Sequence, residues 1–125
     1  MTKVICAEDC GNAPKKLLTN KILTALAWGD NAFILKHLSA HITWTPAGVE
    51  PVRGRNAVAA LLEQAKRETK ALMAIENIIT HGLTGAANGT MKLKNGKAYA
   101  FCHVYRFSGA REASIKELTA HVIGM

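Results

Sequence analysis

The residues of this 125-residue chain best suited to chemistry lie in KAYAFCHVYRF, residues 97–107. Two-residue alternation puts Tyr99, Phe101, His103, Tyr105 and Phe107 on one face of a strand. Ala98, Ala100, Cys102, Val104 and Arg106 fall on the other. An imidazole titrates nearer neutrality than any other ordinary side chain. His103, with tyrosine hydroxyls along the same face, is therefore the candidate catalytic acid/base. The same pattern also fits an aromatic wall whose histidine is only hydrogen bonded, or one that touches a ligand without reacting.

The second cluster is HITWT, residues 41–45, where His41, Thr43 and Thr45 share one face and Ile42 and Trp44 the other. His41 and Thr45 are expected as ligand contacts. Trp44 is drawn away from them unless a bulge turns it back. Trp28 and Trp44 are candidate ligand platforms as well as ordinary core residues. His37 and His41 have an H-x3-H spacing, but a helix ending near Leu38 would separate them, and no third ligand is evident, so no metal is expected. Glu76 is the one acid inside the apolar run LMAIENII. Turned inward it would be desolvated and become a plausible base, while an edge position explains it equally well. His81 and His121 are left as ordinary surface or structural residues. There is no paired carboxylate, G-x-S-x-G, phosphate loop or Cys–His pair at readable spacing, so no organic cofactor is implied.

These residues need elements to hold them. One domain spanning 1–125 fits the length, and 49% apolar with 20% charged residues is a globular composition. Residues 1–11 are expected as a mobile N-terminal segment. No apolar run is long enough for a membrane, and the N-terminus lacks the apolar stretch of a secretory signal, so the expected address is cytoplasmic. Three cysteines suit that address; Cys6 and Cys10, spaced C-x3-C, are taken as ordinary thiols. Sixteen basic against nine acidic residues give +7, but the basic residues are scattered, which argues for solvated surface rather than nucleic-acid binding.

Helical periodicity predicts a first helix over 14–28 on Leu17, Leu18, Ile22, Ala25 and Leu26, capped at Asn12 or Ala13. Gly29 ends it, and Asp30 caps a second helix to about Leu38. A third helix is predicted from Asn56 to Thr69 on Val58, Leu61, Leu62 and Ala65. Four strands follow over 72–81, 85–94, 97–108 and 113–123, with Asn88-Gly89 able to bulge the second and Asn95-Gly96 a two-residue hairpin turn. The layout is α+β: three N-terminal helices packed on a curved, mostly antiparallel sheet, forming a cone-shaped α+β barrel whose mouth is a natural ligand site.

Gly29-Asp30 between helices, TPAGVEPVRGR (45–55), VYRF (104–107) and IKELTAHV (115–122) together resemble the nuclear transport factor 2-like superfamily. That superfamily includes ketosteroid isomerases and SnoaL-like polyketide cyclases, and CGNAPKK resembles small bacterial members without assigned activity. In the register the resemblance implies, the isomerase base falls on Thr45 and the oxyanion groups on Ile22 and His103. Steroid isomerase activity is therefore not supported. The last strand has no Asp, which leaves the cyclase reading weak.

The resemblance puts the His103 face on the concave side and implies a homodimer through the convex face, where Ala98, Ala100, Cys102 and Val104 lie. Two functions follow as expectations. One is a protein binding a small apolar or aromatic molecule in the cone without turnover. The other is a small cofactor-independent isomerase, cyclase or hydratase using His103, with Tyr99, Phe101, Tyr105, His41, Thr45, Trp44, Trp28 and Glu76 around the ligand.

Overall fold

The computed structural model describes residues 2–6, 14–66, 70–109 and 114–125. In chain order the elements are β1 (Lys3–Cys6), α1 (Pro14–Trp28), α2 (Asn31–Lys36), β2 (Leu38–Pro46) and β3 (Val52–Arg53). Then come α3 (Arg55–Lys66), β4 (Lys70–His81), β5 (Thr84–Leu93), β6 (Ala98–Phe107) and β7 (Ile115–Gly124). The seven strands form one sheet in the order β1-β4-β5-β6-β7-β2-β3. The sheet is mixed. The hairpin neighbours β4–β5–β6–β7 and β2–β3 are antiparallel. The pairs β1–β4 and β2–β7 are parallel.

The predicted helices form, with shifted stripes. In α1 the buried positions are Thr19, Ile22, Leu23, Ala25 and Ala27, while Leu17, expected on the core face, is exposed. In α3 Val58 and Leu62 are buried and Ala65 is exposed. Gly29, at φ 76, supplies the left-handed residue that ends α1. Asp30 Oδ1 accepts from Phe33 N at 3.3 Å, the expected N-cap of α2. The caps expected at Asn12 or Ala13, and the end of the third helix at Thr69, lie outside the described residues. Among the described residues no helix is long and apolar enough to cross a membrane.

Three local features depart from the sequence expectations. Lys3–Cys6, within the segment expected to be mobile, add β1 to the edge of the sheet beside β4. Cys6 is disulfide-bonded rather than an ordinary thiol, so the cysteines carry no argument for a reducing compartment; Cys10 lies outside the described residues. The β5–β6 turn takes three residues, not two. Leu93 N donates to Lys97 O at 2.8 Å, enclosing Lys94, Asn95 and Gly96, with Gly96 at φ 93.

The bulge expected at Asn88-Gly89 forms in the facing strand. Ile75 pairs with Gly89 and Asn77 with Asn88, so Glu76 is the extra residue of β4. Gly89 is required there by space, since a Cβ would lie 2.0 Å from the Ala74 carbonyl oxygen. The helices cover one face of the sheet: α1 packs on β4, and α3 on β2 and β3. Ile22, Leu23, Ile34, Leu38, Ile42, Val58, Tyr105, Phe107, Ile115 and Leu118 are fully buried between them. Arg55 ties the start of α3 to β2, its Nε donating to Leu38 O at 3.0 Å.

Candidate functional site

Strand β6 carries the predicted wall, and its alternation is strict. Phe101, His103, Tyr105 and Phe107 are buried, while Cys102, Val104 and Arg106 are exposed. The helices therefore cover the face that holds His103. Tyr99, at the start of the strand, is half-buried. The rings form a series along the strand: Phe101 to His103 at 5.3 Å, His103 to Tyr105 at 5.9 Å edge-on, and Tyr105 to Phe107 at 6.3 Å stacked.

Among the described residues Thr19 and His103 are the buried polar side chains apart from Tyr105. Thr19 satisfies itself against the Lys15 carbonyl of its own helix. His103 Nδ1 lies 3.1 Å from Tyr105 Oη, and this is the hydrogen bond each side chain makes. Which group donates follows the imidazole tautomer. With the Tyr105 O–H donating to Nδ1 both groups are paired, and the imidazole proton then sits on Nε2. Among the described residues no fully buried side-chain nitrogen or oxygen lacks a partner. Nε2, which has no protein partner, thus keeps a share of the ring's remaining 7% exposure.

Burial, and secondarily the nearby His121, lower the His103 pKa to about 4, so the ring is neutral at physiological pH. Burial likewise pushes the Tyr105 hydroxyl up, keeping it protonated. The pair is a neutral donor chain in an apolar wall.

The other expected contacts scatter. On β2, Ile42 and Trp44 are buried and His41 is exposed, so His41 and Thr45 lie on the face away from the His103 wall. Trp44 is a core residue on the same side as His103. His41 and Thr45 therefore do not line the wall with His103, because the burial of Ile42 and Trp44 decides which face turns inward. Glu76 is exposed at the β4 bulge, outside the core, so the inward, desolvated base is not formed. Trp28 is 53% exposed and donates its Nε1–H to Thr2 O at 2.8 Å. It borders a shallow cavity of about 200 Å³ with Lys21, Thr24, Asp30 and Phe33. His37 follows α2 and packs on Phe33 at 4.5 Å, with its pKa lowered by burial and by Lys36 and Lys21. His41 is in β2, so the H-x3-H pair does not share a helix. No group of three metal-ligating side chains forms among the described residues.

A larger groove, about 530 Å³, lies on the opposite, uncovered face of the sheet. It is bordered by Glu76, Asn77, Asn88, Cys102, His121 and Ile123, among others. Sequence reasoning missed this cluster because Cys102 and His121 are far apart in the chain. Only the β6–β7 register makes them direct partners.

No protein-family model and no curated protein matches the chain. Solved structures do. A nuclear transport factor 2-like protein of unknown function from Cytophaga hutchinsonii is 19% identical over 86% of this chain and 97% of that one, with a TM-score of 0.66. A putative SnoaL-like polyketide cyclase from Shewanella denitrificans is 12% identical over 90% of this chain and 92% of that one, with a TM-score of 0.76. An LEH-like epoxide hydrolase of M. tuberculosis is 18% identical over 86% and 80%, with a TM-score of 0.70. At such identities the likeness is one of architecture: three helices on a mixed sheet of seven strands, the nuclear transport factor 2-like fold, is the fold of this chain.

Proposed function

We propose that the chain binds a small, largely apolar or aromatic molecule against the Phe101–His103–Tyr105–Phe107 wall of a cone-like interior, and binds it without turnover. The observation that carries this reading is the one ring nitrogen of the wall without a protein partner, His103 Nε2. Pockets of this kind pair an apolar lining with a few fixed polar groups that set orientation. Here one donor would take one acceptor oxygen, such as a carbonyl, ether or hydroxyl, on an otherwise apolar ligand.

Proton transfer is poorly served by the same arrangement. With the Tyr105 O–H donating to Nδ1, the basic lone pair of His103 is occupied and its other nitrogen carries the proton. Among the described residues no carboxylate is buried beside it. The cyclase and epoxide hydrolase names among similar structures therefore lend a precedent for small organic ligands, and not a mechanism, to this chain.

The test is a thermal-shift screen of small aromatic and alicyclic ketones, ethers and alcohols, with mass spectrometry of each stabilising compound after long incubation. Stabilisation that is lost in His103→Phe, with the compound recovered unchanged, is the expected result. A screen without any stabilising compound sinks the pocket reading. Conversion of a compound replaces binding with turnover.

A further inference from the structure

The cavity of about 200 Å³ between α1 and α2 gathers two aromatic rings and two opposite charges. Lys21, Thr24, Ala25 and Trp28 border it from α1, Asp30 from the junction and Phe33 from α2. None of these belongs to the Phe101–His103–Tyr105–Phe107 wall. Residues 21, 24, 25 and 28 recur at three- and four-residue spacing and so form one stripe along α1. Its two ends stand about 10 Å apart along the helix axis, at 1.5 Å per residue.

Trp28 is 53% exposed, yet its indole is not free to turn. The Nε1–H is donated to Thr2 O at 2.8 Å, which holds the ring in place beside the cavity. Phe33 is packed in turn on the His37 ring, 4.5 Å away. Both aromatic borders are therefore set before any ligand arrives, and little ordering is left for binding to impose.

The charged borders are just as specific. Among the described residues the ion pair formed joins Arg106 to Glu117, so Lys21 and Asp30 face one cavity without pairing with each other. Asp30 spends Oδ1 on capping α2 through Phe33 N, which leaves Oδ2 as an acceptor. The Lys21 charge reaches across the angle between the helices, where with Lys36 it opposes protonation of His37.

We propose that this cavity is a second binding site, for a single-ring aromatic acid with a hydrogen-bond donor at the end opposite its carboxylate. The carboxylate meets Lys21, the ring lies against Trp28 and Phe33, and Asp30 Oδ2 takes the donor. A plain hydrocarbon ring would leave both charges unused, an aromatic cation would meet Lys21, and a second carboxylate would meet Asp30. Drug-sized pockets begin at roughly 300 Å³, so this smaller space limits the ligand to about one ring.

The probe is para-hydroxyphenylacetate, titrated into the full-length chain while tryptophan fluorescence is read. Trp44 is 5% exposed in the core, so the accessible indole is Trp28. A saturable change is expected, with a dissociation constant on the order of 1 mM, the scale of a one-ring ligand on a shallow surface. Phenylacetate lacks the donor and para-cresol lacks the carboxylate, and each should bind about fivefold or more weakly. Lys21→Gln should weaken the acid about fivefold and leave para-cresol unchanged. Asp30→Asn keeps a residue able to cap α2 but replaces the free oxygen by an amide nitrogen, and should reduce the probe to the affinity of phenylacetate. Both side chains are exposed, so these variants test recognition rather than folding.

His103→Phe should bind the probe as the wild type does, which separates this site from the interior wall. Binding lost in that variant puts the acid in the interior and overturns the proposal. A response that never saturates overturns it, as does equal affinity for the three compounds or an affinity unmoved by Lys21→Gln. A Trp28 signal that shifts with protein concentration before any probe is added gives the cavity to a second copy of the chain, and overturns it too.

Discussion

Tyr105 Oη and His103 Nδ1, 3.1 Å apart, satisfy each other in a wall that offers neither of them another partner. Removing either group alone strands the other in a site that is 1% exposed at Tyr105 and 7% exposed at His103. Leaving a buried polar group unpaired costs about 1–3 kcal/mol, more than the net worth of the bond itself. Tyr105→Phe and His103→Phe should each lower stability within that range. The double variant should lose clearly less than the sum, with a coupling on the order of 1 kcal/mol. Urea unfolding of the four proteins in the cycle measures it, and strict additivity would mean that the bond does not form.

The same burial makes stability depend on acid. An unfolded histidine takes up its proton near pH 6.5, whereas His103 in the fold resists until about pH 4. Between those values the unfolded state holds more protons, so stability falls as the pH drops from 6.5 towards 4 and the His103 contribution then levels off. The full depression corresponds to about 3 kcal/mol. Stability measured from pH 7 to 4 should therefore fall more steeply in wild type than in His103→Phe/Tyr105→Phe. Parallel curves would show that His103 titrates normally in the folded chain.

Much of this was legible from spacing alone. The alternation of KAYAFCHVYRF identified the aromatic face of β6, because a sheet with one covered face forces every second residue inward. The helix periods and the Gly29-Asp30 stop are local and were equally readable. What stayed hidden depended on partners distant in sequence. Lys3–Cys6 looks like a loose end until β4 is present to pair with it, and Val52–Arg53 is a strand only because β2 lies beside it. HITWT showed two faces but not which was covered; Ile42 and Trp44 settle that by packing on the core. The Asn88–Cys102–His121 row could not be seen at all, since it exists only in the register of three strands.

On the uncovered face, Arg106 Nε lies 3.2 Å from Glu117 Oε2, yet both side chains are more than half exposed. Water and salt screen such pairs, and they typically contribute well under 1 kcal/mol. Arg106→Gln and Glu117→Gln should each change the unfolding midpoint only slightly. A large loss from either would mean that this end of the face is covered in solution.

Gly89 should be far less forgiving. A methyl group there would sit 2.0 Å from the Ala74 carbonyl oxygen and 3.0 Å from the Phe101 ring. The first contact is with backbone of the paired strand, so no side-chain rotation relieves it. The β4 bulge around Glu76 must open or the β4–β5 pairing must slip. Overpacking of this kind costs typically up to about 3 kcal/mol. Gly29→Ala is the natural comparison. Its left-handed φ of 76 carries a penalty of about 1–2 kcal/mol, and its new methyl would meet only the flexible Lys66 side chain. Gly89→Ala should therefore be the more destabilising of the two in urea or thermal unfolding. The reverse order of stability would mean that the bulge is plastic enough to admit a side chain, and that Gly89 is not what holds Asn88 in register with Cys102.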